Sequence, residues 1–187
     1  EDFEMKKLVW ILLIIPVVLF GTTYTTITID GSNDDWEADE KFTDCSNADE
    51  AYFTWDADYL YFGISDPEAD YGNMATFMYF DTDPDGASGT TDAYAWDNNV
   101  TAPFSADYVV VWKNGGTGDY IELRNWNGSG WNQQISENSS NYNTGDIHFS
   151  VAAEPNGNYR EVKVKRSLLG VTNSTDKISF CSFTEQQ

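Results

Sequence analysis

Apolar and polar residues alternate along short segments of the chain, and helical periodicity is almost absent. The segments are rich in Tyr, Phe, Val, Ile, Thr and Trp, and clusters of Asn, Asp, Gly and Pro separate them. This pattern is typical of antiparallel strands joined by turns. The predicted strands are Thr26–Asp30, Ala51–Trp55, Tyr59–Ser65, Ala75–Thr82, Asp107–Lys113, Tyr120–Trp126, Asp146–Ala153, Tyr159–Lys165 and Lys177–Phe183.

Alternation within these strands predicts one packed face and one face in water. Ile121 and Leu123 alternate with Glu122 and Arg124, so the two charged side chains are expected in solvent. Glu161 is expected on the wet side of its strand for the same reason. Burial on one face is what two antiparallel sheets need in order to pack against each other. The predicted fold is therefore an all-β antiparallel β-sandwich.

Two segments depart from the strand pattern. Arg166–Gly170 predicts a single helical turn, which Gly170 ends. The stretch from Asp83 to Ser105 shows no clear strand and predicts a long loop. Because loops of that length inside a compact domain usually have a function, this loop is a candidate site.

The N-terminus has the order of charges and apolar residues typical of a secretory signal. Lys6 and Lys7 precede the apolar run 8–20, and small or hydroxylic residues follow from Gly21. The run is shorter than the roughly 20 apolar residues that cross a bilayer. We predict cleavage between Gly21 and Thr26; an uncleaved membrane anchor is the alternative.

These features divide the chain into three parts. Residues 1–4 are expected to be extraneous, preceding the true start; residues 5–25 form the signal peptide, and residues 26–187 form a single β-sandwich domain. The expected location is secreted, extracellular or at the cell surface. After signal cleavage we expect no membrane insertion.

The net charge of −21 narrows the classes of partner. Nucleic acids and anionic membranes require Lys and Arg to neutralise phosphate, so neither is expected as a partner. An acidic surface of this kind suits calcium and neutral ligands.

Two cysteines, Cys45 and Cys181, remain after export. An oxidising compartment permits a disulfide between them, and such a bridge would join the first loop to the last strand. Two buried thiols are the alternative, because only geometry decides whether a bridge forms.

The most specific local motif is acidic. Asp81, Asp83 and Asp85 occupy positions 1, 3 and 5 of a calcium-loop pattern, Gly86 lies at the turn position 6 and Asp92 at position 12. Calcium takes 6–8 oxygen ligands, and it offsets the repulsion between carboxylates spaced this closely. We predict a structural calcium site; an acidic, solvated turn is the alternative.

Aromatic residues form the second candidate site. Trp126 and Trp131 flank an Asn-rich turn beside Arg124, and Tyr94 and Trp96 lie in the long loop. Carbohydrate-binding surfaces use flat indole rings against the C–H faces of sugars, with polar side chains nearby to bind the hydroxyls. Core packing is the alternative for each tryptophan, and we expect it for the two in strand interiors, Trp55 and Trp112.

Catalysis has little support in the sequence. His148 is the single histidine and lies inside a predicted strand. There is no serine-elbow motif, no zinc-ligand spacing and no phosphate-binding loop. We therefore expect a protein that is not an enzyme.

Four segments together resemble the DOMON-like superfamily, most closely its family 9 carbohydrate-binding-module-like and glucodextranase C-terminal-like domains. The segments are Ile29–Gly31 with Asp35 and Trp36, Ala51–Asp56 with Tyr59–Phe62, Phe80–Gly86, and Glu161–Gly170. The resemblance implies an immunoglobulin-like sandwich of two antiparallel sheets, extracellular placement and bound calcium. It also implies sugar binding, which in sugar-binding members uses two tryptophans.

The expected function is thus that of a secreted, non-catalytic, calcium-stabilised module that binds a polysaccharide or oligosaccharide. Its partner could also be a polysaccharide-degrading enzyme or a cell surface. One alternative is a structural or adhesive surface component with no sugar ligand. A second is a haem-binding redox domain, for which the available axial ligands are Met74, Met78 and His148.

Overall fold

The computed structural model describes residues 9–11, 25–42, 50–65, 74–96, 99–113, 120–138, 146–149, 159–173 and 176–186. These residues form β-strands and two short 3₁₀ helices, Ala38–Glu40 and Arg166–Leu169. The strands are β1 (Val9–Ile11), β2 (Lys41–Phe42), β3 (Glu50–Trp55), β4 (Tyr59–Ser65), β5 (Met74–Asp81), β6 (Thr90–Ala93), β7 (Val100–Ala106), β8 (Tyr108–Lys113), β9 (Tyr120–Trp126), β10 (Trp131–Asn138), β11 (Ile147–Phe149), β12 (Tyr159–Lys165) and β13 (Ser179–Gln186).

The strands form two large antiparallel sheets and one hairpin. A six-stranded sheet has the order β1-β13-β5-β8-β9-β10, a five-stranded sheet has the order β11-β12-β4-β3-β2, and β6 pairs with β7. The two large sheets pack as a sandwich, which confirms the predicted all-β antiparallel class.

Aromatic side chains fill the space between the two large sheets. Phe180 lies at the centre, with its ring centroid 4.6 Å from Phe53, 5.5 Å from Phe62 and 5.3 Å from Phe80. Trp112 is 1% exposed in the same cluster and Trp55 packs against its edge. The prediction that these two tryptophans belong to the core is confirmed.

The β6–β7 hairpin forms a third layer on the outer face of the six-stranded sheet. The rings of Phe77 and Phe183 stack beneath it at 4.9 Å, and Val109, Val111 and Cys181 complete a second buried cluster. The six-stranded sheet is therefore buried on both faces over this region.

This third layer and the N-terminal segment overturn the expectation of wet outer faces. Glu122 and Glu161 are both fully buried instead of exposed. Tyr94 of the hairpin region lies over Glu122, and the backbone of Asp30 and Gly31 lies over Glu161. Alternation located the inner faces correctly but could not show that each outer face carries a further covering segment.

Two local predictions are wrong for related reasons. The stretch Asp83 to Ser105 contains β6 and most of β7. Three inward positions of this hairpin are the small residues Ala93, Ala102 and Ala106, beside Val100 and Phe104, so its strand signal is weak. The predicted strand Thr26–Asp30 is an unpaired segment whose backbone binds a carboxylate rather than a neighbouring strand.

The N-terminal predictions fall mostly outside the part of the chain that the structure describes. Within the predicted signal peptide, only β1 and residue 25 are described; Trp10 pairs with Phe183 of β13. Residues 1–8 and 12–24 lie outside it, and signal cleavage stays a prediction. Among the described residues, no helix is long and apolar enough to cross a membrane.

Candidate functional site

Three carboxylates meet where β5 ends and β8 begins. One oxygen from each of Asp81, Asp83 and Asp107 lies within 4.8 Å of the others. Asp81 is the last residue of β5, and the backbone N–H of Asp107 donates to the carbonyl of Phe80 over 2.8 Å, which fixes Asp107 beside it. Asp81 and Asp107 are 6% and 8% exposed, whereas Asp83 is exposed.

Hydrogen bonds from neutral donors orient the Asp107 carboxylate and leave its negative charge in place. Its Oδ2 accepts from the backbone N–H of Thr82 over 2.9 Å and from the Thr82 hydroxyl over 3.2 Å. The Ser88 hydroxyl lies 2.5 Å from Asp107 Oδ1 and 2.6 Å from Asp83 Oδ1. Because a hydroxyl carries one proton, Ser88 can donate to only one of these two carboxylates at a time.

Burial raises the pKa of Asp81, and the nearby negative charges of Asp107, Asp83 and Asp85 raise it further. Holding this group ionised is therefore unfavourable in the folded protein. A divalent cation reverses that balance, since carboxylate oxygens are the ligands that calcium prefers. The Asp81/Asp83/Asp107 group could hold a metal ion such as calcium.

The structure places the other two predicted ligands differently. Asp85 is exposed and forms an ion pair with Lys177 at 2.9 Å. Asp92 lies in β6, where its side chain is exposed and its carbonyl accepts from the Trp131 indole. Asp107 was missed because a linear spacing pattern cannot include a residue from a neighbouring strand. Its position at the start of a predicted strand was the only available signal.

Two glycines allow the acidic loop to fold tightly. The N–H of Gly86 donates to the carbonyl of Asp83 over 2.5 Å, and a Cβ on Gly86 would lie 2.1 Å from Asp83 Oδ2. Gly89 has a φ of +83°, and a Cβ there would lie 2.5 Å from the carbonyl oxygen of Ser105. The loop also lines an open cleft of about 260 Å³ whose far wall is formed by Asp176 and Lys177.

Trp126 and Trp131 form an aromatic pair at the β9–β10 turn. Their ring centroids are 5.8 Å apart at an interplanar angle of 65°. The Trp131 indole N–H donates to the carbonyl of Asp92 over 2.9 Å, which ties β10 to the β6–β7 hairpin. Both tryptophans are half-buried.

Tyr94 and Arg124 meet on the same outer face. The Arg124 guanidinium lies 4.2 Å from the Tyr94 ring centroid and pairs with the buried Glu122. Arg124 also donates to Gln133 Oε1 over 3.0 Å. These contacts satisfy the guanidinium largely within the protein.

Trp96 is separated from the tryptophan pair. Its ring packs edge-on against Phe77 at 5.4 Å and Tyr120 at 5.7 Å, and its backbone N–H donates to Glu185. Tyr120 and Trp126 are the two ends of β9, which places Trp96 about 20 Å from Trp126 at 3.4 Å per residue. The structure therefore brings Trp126 and Trp131 together but leaves Trp96 at the far end of the sheet.

The tryptophan pair adjoins the carboxylate group. Trp126 lies opposite Trp131 in the β9–β10 pairing, and its backbone N–H donates to the carbonyl of Asp107 over 2.7 Å. Alternation puts the side chains of Asp81, Asp107 and Trp126 on the same outer face. The two candidate sites are thus neighbours, although the sequence predicted them separately.

Cys181 is a free thiol, 2% exposed in the cluster beneath the hairpin, and burial raises its pKa to about 12. Its side chain faces away from the five-stranded sheet that contains β2 and β3. Cys45 lies outside the described residues, so the predicted bridge stays a prediction.

The candidate haem ligands lie in different sheets. Met78 is 1% exposed and packs in the core between the sheets. Met74 is in the same strand, and His148 is in β11, opposite Lys163. The structure describes the backbone of Met74 and His148 but not their side chains.

Comparisons of the chain with family models, with curated proteins and with solved structures found no match.

Proposed function

We propose that the chain is a secreted, non-catalytic module of immunoglobulin-like, DOMON-like fold, which calcium stabilises and which binds carbohydrate at the Trp126–Trp131 surface. The observation that carries the proposal is the juxtaposition of this tryptophan pair with the Asp81/Asp83/Asp107 group.

The tryptophan pair has the chemistry that sugar binding requires. The hydrogen bond from Trp131 to Asp92 fixes the orientation of one indole, so little side-chain entropy is lost when a ligand packs on it. Polar side chains lie on the same face of the sheet as the pair, where the exposed Gln133 accepts from Arg124 through its Oε1 over 3.0 Å. Such groups can exchange their mutual hydrogen bonds for bonds to sugar hydroxyls.

Calcium has a structural role in this proposal. An ion held by Asp81, Asp83 and Asp107 would connect the end of β5, the acidic loop and the start of β8. Because Trp126 is hydrogen-bonded to Asp107, fixing Asp107 also fixes the backbone that carries the aromatic pair.

Pull-down on insoluble polysaccharides and a glycan array, both with calcium present, test the proposal. We expect retention of the wild-type protein and a loss of affinity of about 5- to 150-fold for Trp126→Ala, as one stacked aromatic is worth about 1–3 kcal/mol. Tyr59→Ala, on the outer face of the other sheet, is the matched control and should bind normally. Absence of any retained glycan, or full binding by a folded Trp126→Ala variant, would contradict the proposal.

A structural or adhesive surface component is the second candidate. It is favoured by the half-burial of all three candidate tryptophans and by the separation of Trp96 from the pair, which leave a small aromatic surface. Failure to bind glycans, together with a calcium-dependent rise in stability, would support this candidate instead.

A further inference from the structure

The segment 25–36, here called the N-terminal strap, crosses the outer face of the five-stranded sheet without pairing with it. Ile27 is 2% exposed, and the Trp36 ring lies 5.3 Å from the ring of Tyr52. Gly63 of β4 makes room for the strap, since a Cβ there would lie 3.3 Å from Trp36 Cζ2 and 2.6 Å from the Tyr159 hydroxyl.

A single carboxylate holds the backbone of the strap. Glu161 in β12 is fully buried, and its Oε1 accepts from the N–H groups of both Asp30, at 2.7 Å, and Gly31, at 2.5 Å. The Tyr159 hydroxyl donates to Oε2 over 3.2 Å. Two consecutive N–H groups of the strap thus depend on a side chain rather than on a β-ladder.

We propose that Glu161 is a proton-sensitive latch, which holds the N-terminal strap closed over the five-stranded sheet when it is protonated and loosens the strap when it ionises. Opening would uncover the aromatic floor formed by Tyr52 and Tyr159 around Gly63.

The buried geometry sets the direction of this dependence. Burial raises the pKa of Glu161 from 4.5 to about 7; the charge of Asp30 also raises it, and the hydrogen bonds from Gly31, Asp30 and Tyr159 lower it. In an open strap the carboxyl returns towards its usual pKa, so the closed state binds the proton more tightly than the open state does. Closure is therefore strongest below about pH 4.5 and weakens as the pH rises to 7.

Among the residues that the structure describes, other titratable groups on the same outer face lie on the strap, β12, β3 and β2. They are Asp30 and Asp35 on the strap, Tyr159 and Lys163 on β12, Glu50 and Tyr52 on β3, and Lys41 on β2, whereas β4 contributes Gly63. Hydrogen bonds from Lys41 and Tyr52 lower the pKa of Glu50. Burial raises the pKa of Tyr52 to about 12, so neither group titrates near neutrality.

Amide hydrogen exchange measured by NMR on the full chain tests the latch. After correction for intrinsic exchange, we expect protection at Asp30 and Gly31 to fall by up to about 300-fold between about pH 4.5 and 7 and to level off above 7, as follows from the change in pKa. The midpoint of this fall, on a logarithmic scale, should lie at about pH 5.8, halfway between the two pKa values. The amides of Leu60 and Phe62 in β4 should not follow this profile.

Three variants distinguish the latch from a general loss of stability. Glu161→Gln keeps an acceptor oxygen but cannot titrate, so its strap protection should be independent of pH. Glu50→Gln, on the same face, is the matched control and should keep the wild-type profile. Tyr159→Phe removes a hydrogen bond that lowers the pKa of Glu161 and should move the midpoint to higher pH even if Glu161→Gln does not fold.

The latch is wrong if strap protection in the wild-type protein does not change with pH, or if it changes in parallel with the β4 amides. A folded Glu161→Gln variant with the wild-type profile, or a Tyr159→Phe variant whose midpoint moves to lower pH, would also overturn it.

Discussion

The backbone N–H of Trp126 donates to the carbonyl oxygen of Asp107 over 2.7 Å. This bond connects a residue of the candidate metal group to a residue of the candidate sugar surface through the β8–β9 ladder. A change in the position of Asp107 must therefore displace Trp126 or break the bond. Variants of the Asp81/Asp83/Asp107 group should therefore be tested for both thermal stability and glycan binding.

We expect calcium to raise the melting temperature of the wild-type protein and to have little effect on Asp107→Asn. An ion that binds only the folded state at 100 times its dissociation constant adds about 2.7 kcal/mol, or roughly 5–10 °C for a domain of this size. Thermal melting with calcium and with a chelator measures this difference.

Asp39→Asn is the matched control for that experiment, because Asp39 is exposed in the first 3₁₀ helix, away from the acidic group. It should retain the full calcium effect. An unchanged melting temperature on chelation of the wild-type protein would argue against the metal site.

Asp81→Asn should stabilise the metal-free protein while weakening the response to calcium. Burial and the neighbouring carboxylates raise the pKa of Asp81, so ionised Asp81 costs folding free energy at neutral pH, and that cost declines as the pH falls towards its folded pKa. Asparagine has no charge to bury and keeps an oxygen that can accept from the N–H of Asp83. Urea denaturation in chelator at pH 7 measures the gain; a less stable variant would be inconsistent with this explanation.

Cys181 should resist thiol reagents in the folded protein and react on unfolding without a reductant. Its burial beneath the hairpin blocks access, and a pKa of about 12 leaves almost no thiolate at neutral pH. Mass spectrometry after alkylation in native buffer and in denaturant measures the fraction of Cys181 that is labelled in each state. A requirement for reductant before Cys181 labels would instead establish a disulfide.

Gly89→Ala should destabilise the protein more than Gly128→Ala does. Both glycines have positive φ, which costs alanine about 1–2 kcal/mol. Only Gly89 also approaches other backbone atoms, with Ser105 O at 2.5 Å from the added Cβ, whereas nothing lies within 4 Å at Gly128. The clash should add about 1–3 kcal/mol in urea denaturation. Equal losses for the two variants would show that the loop can shift away from β7.

Strands with bulky alternation could be predicted from sequence with their observed limits. Tyr59–Ser65, Tyr120–Trp126 and Tyr159–Lys165 all have large apolar residues on the inner face and polar or aromatic residues on the other. The helical turn before Gly170 was predicted as well, and that glycine has a φ of +72°. β10 was missed because its Asn- and Gln-rich sequence, Trp131–Asn138, has little of the apolar alternation that marks a half-buried strand.

The candidate site was only partly predictable, because it is assembled across strands. Asp81 and Asp83 were found from their spacing in the loop, but Asp107 joins them through the pairing of β5 with β8. The burial of Glu161 depends on the strap passing over it. Neither relationship has a signal in the local pattern around these residues.

The β6–β7 hairpin lies between β5 and β8 along the chain, although β5 and β8 pair directly with each other. It can therefore be described as an insertion into the connection between these two strands. The N–H of Asp107 already bonds the carbonyl of Phe80, and its carboxylate bonds Thr82, so the two points where the hairpin leaves the sheet are joined at its base. A short linker could therefore replace residues 84–105 without separating β5 from β8. What such a molecule would lose is the cover over Phe77 and Phe183, and with it the solubility of that face.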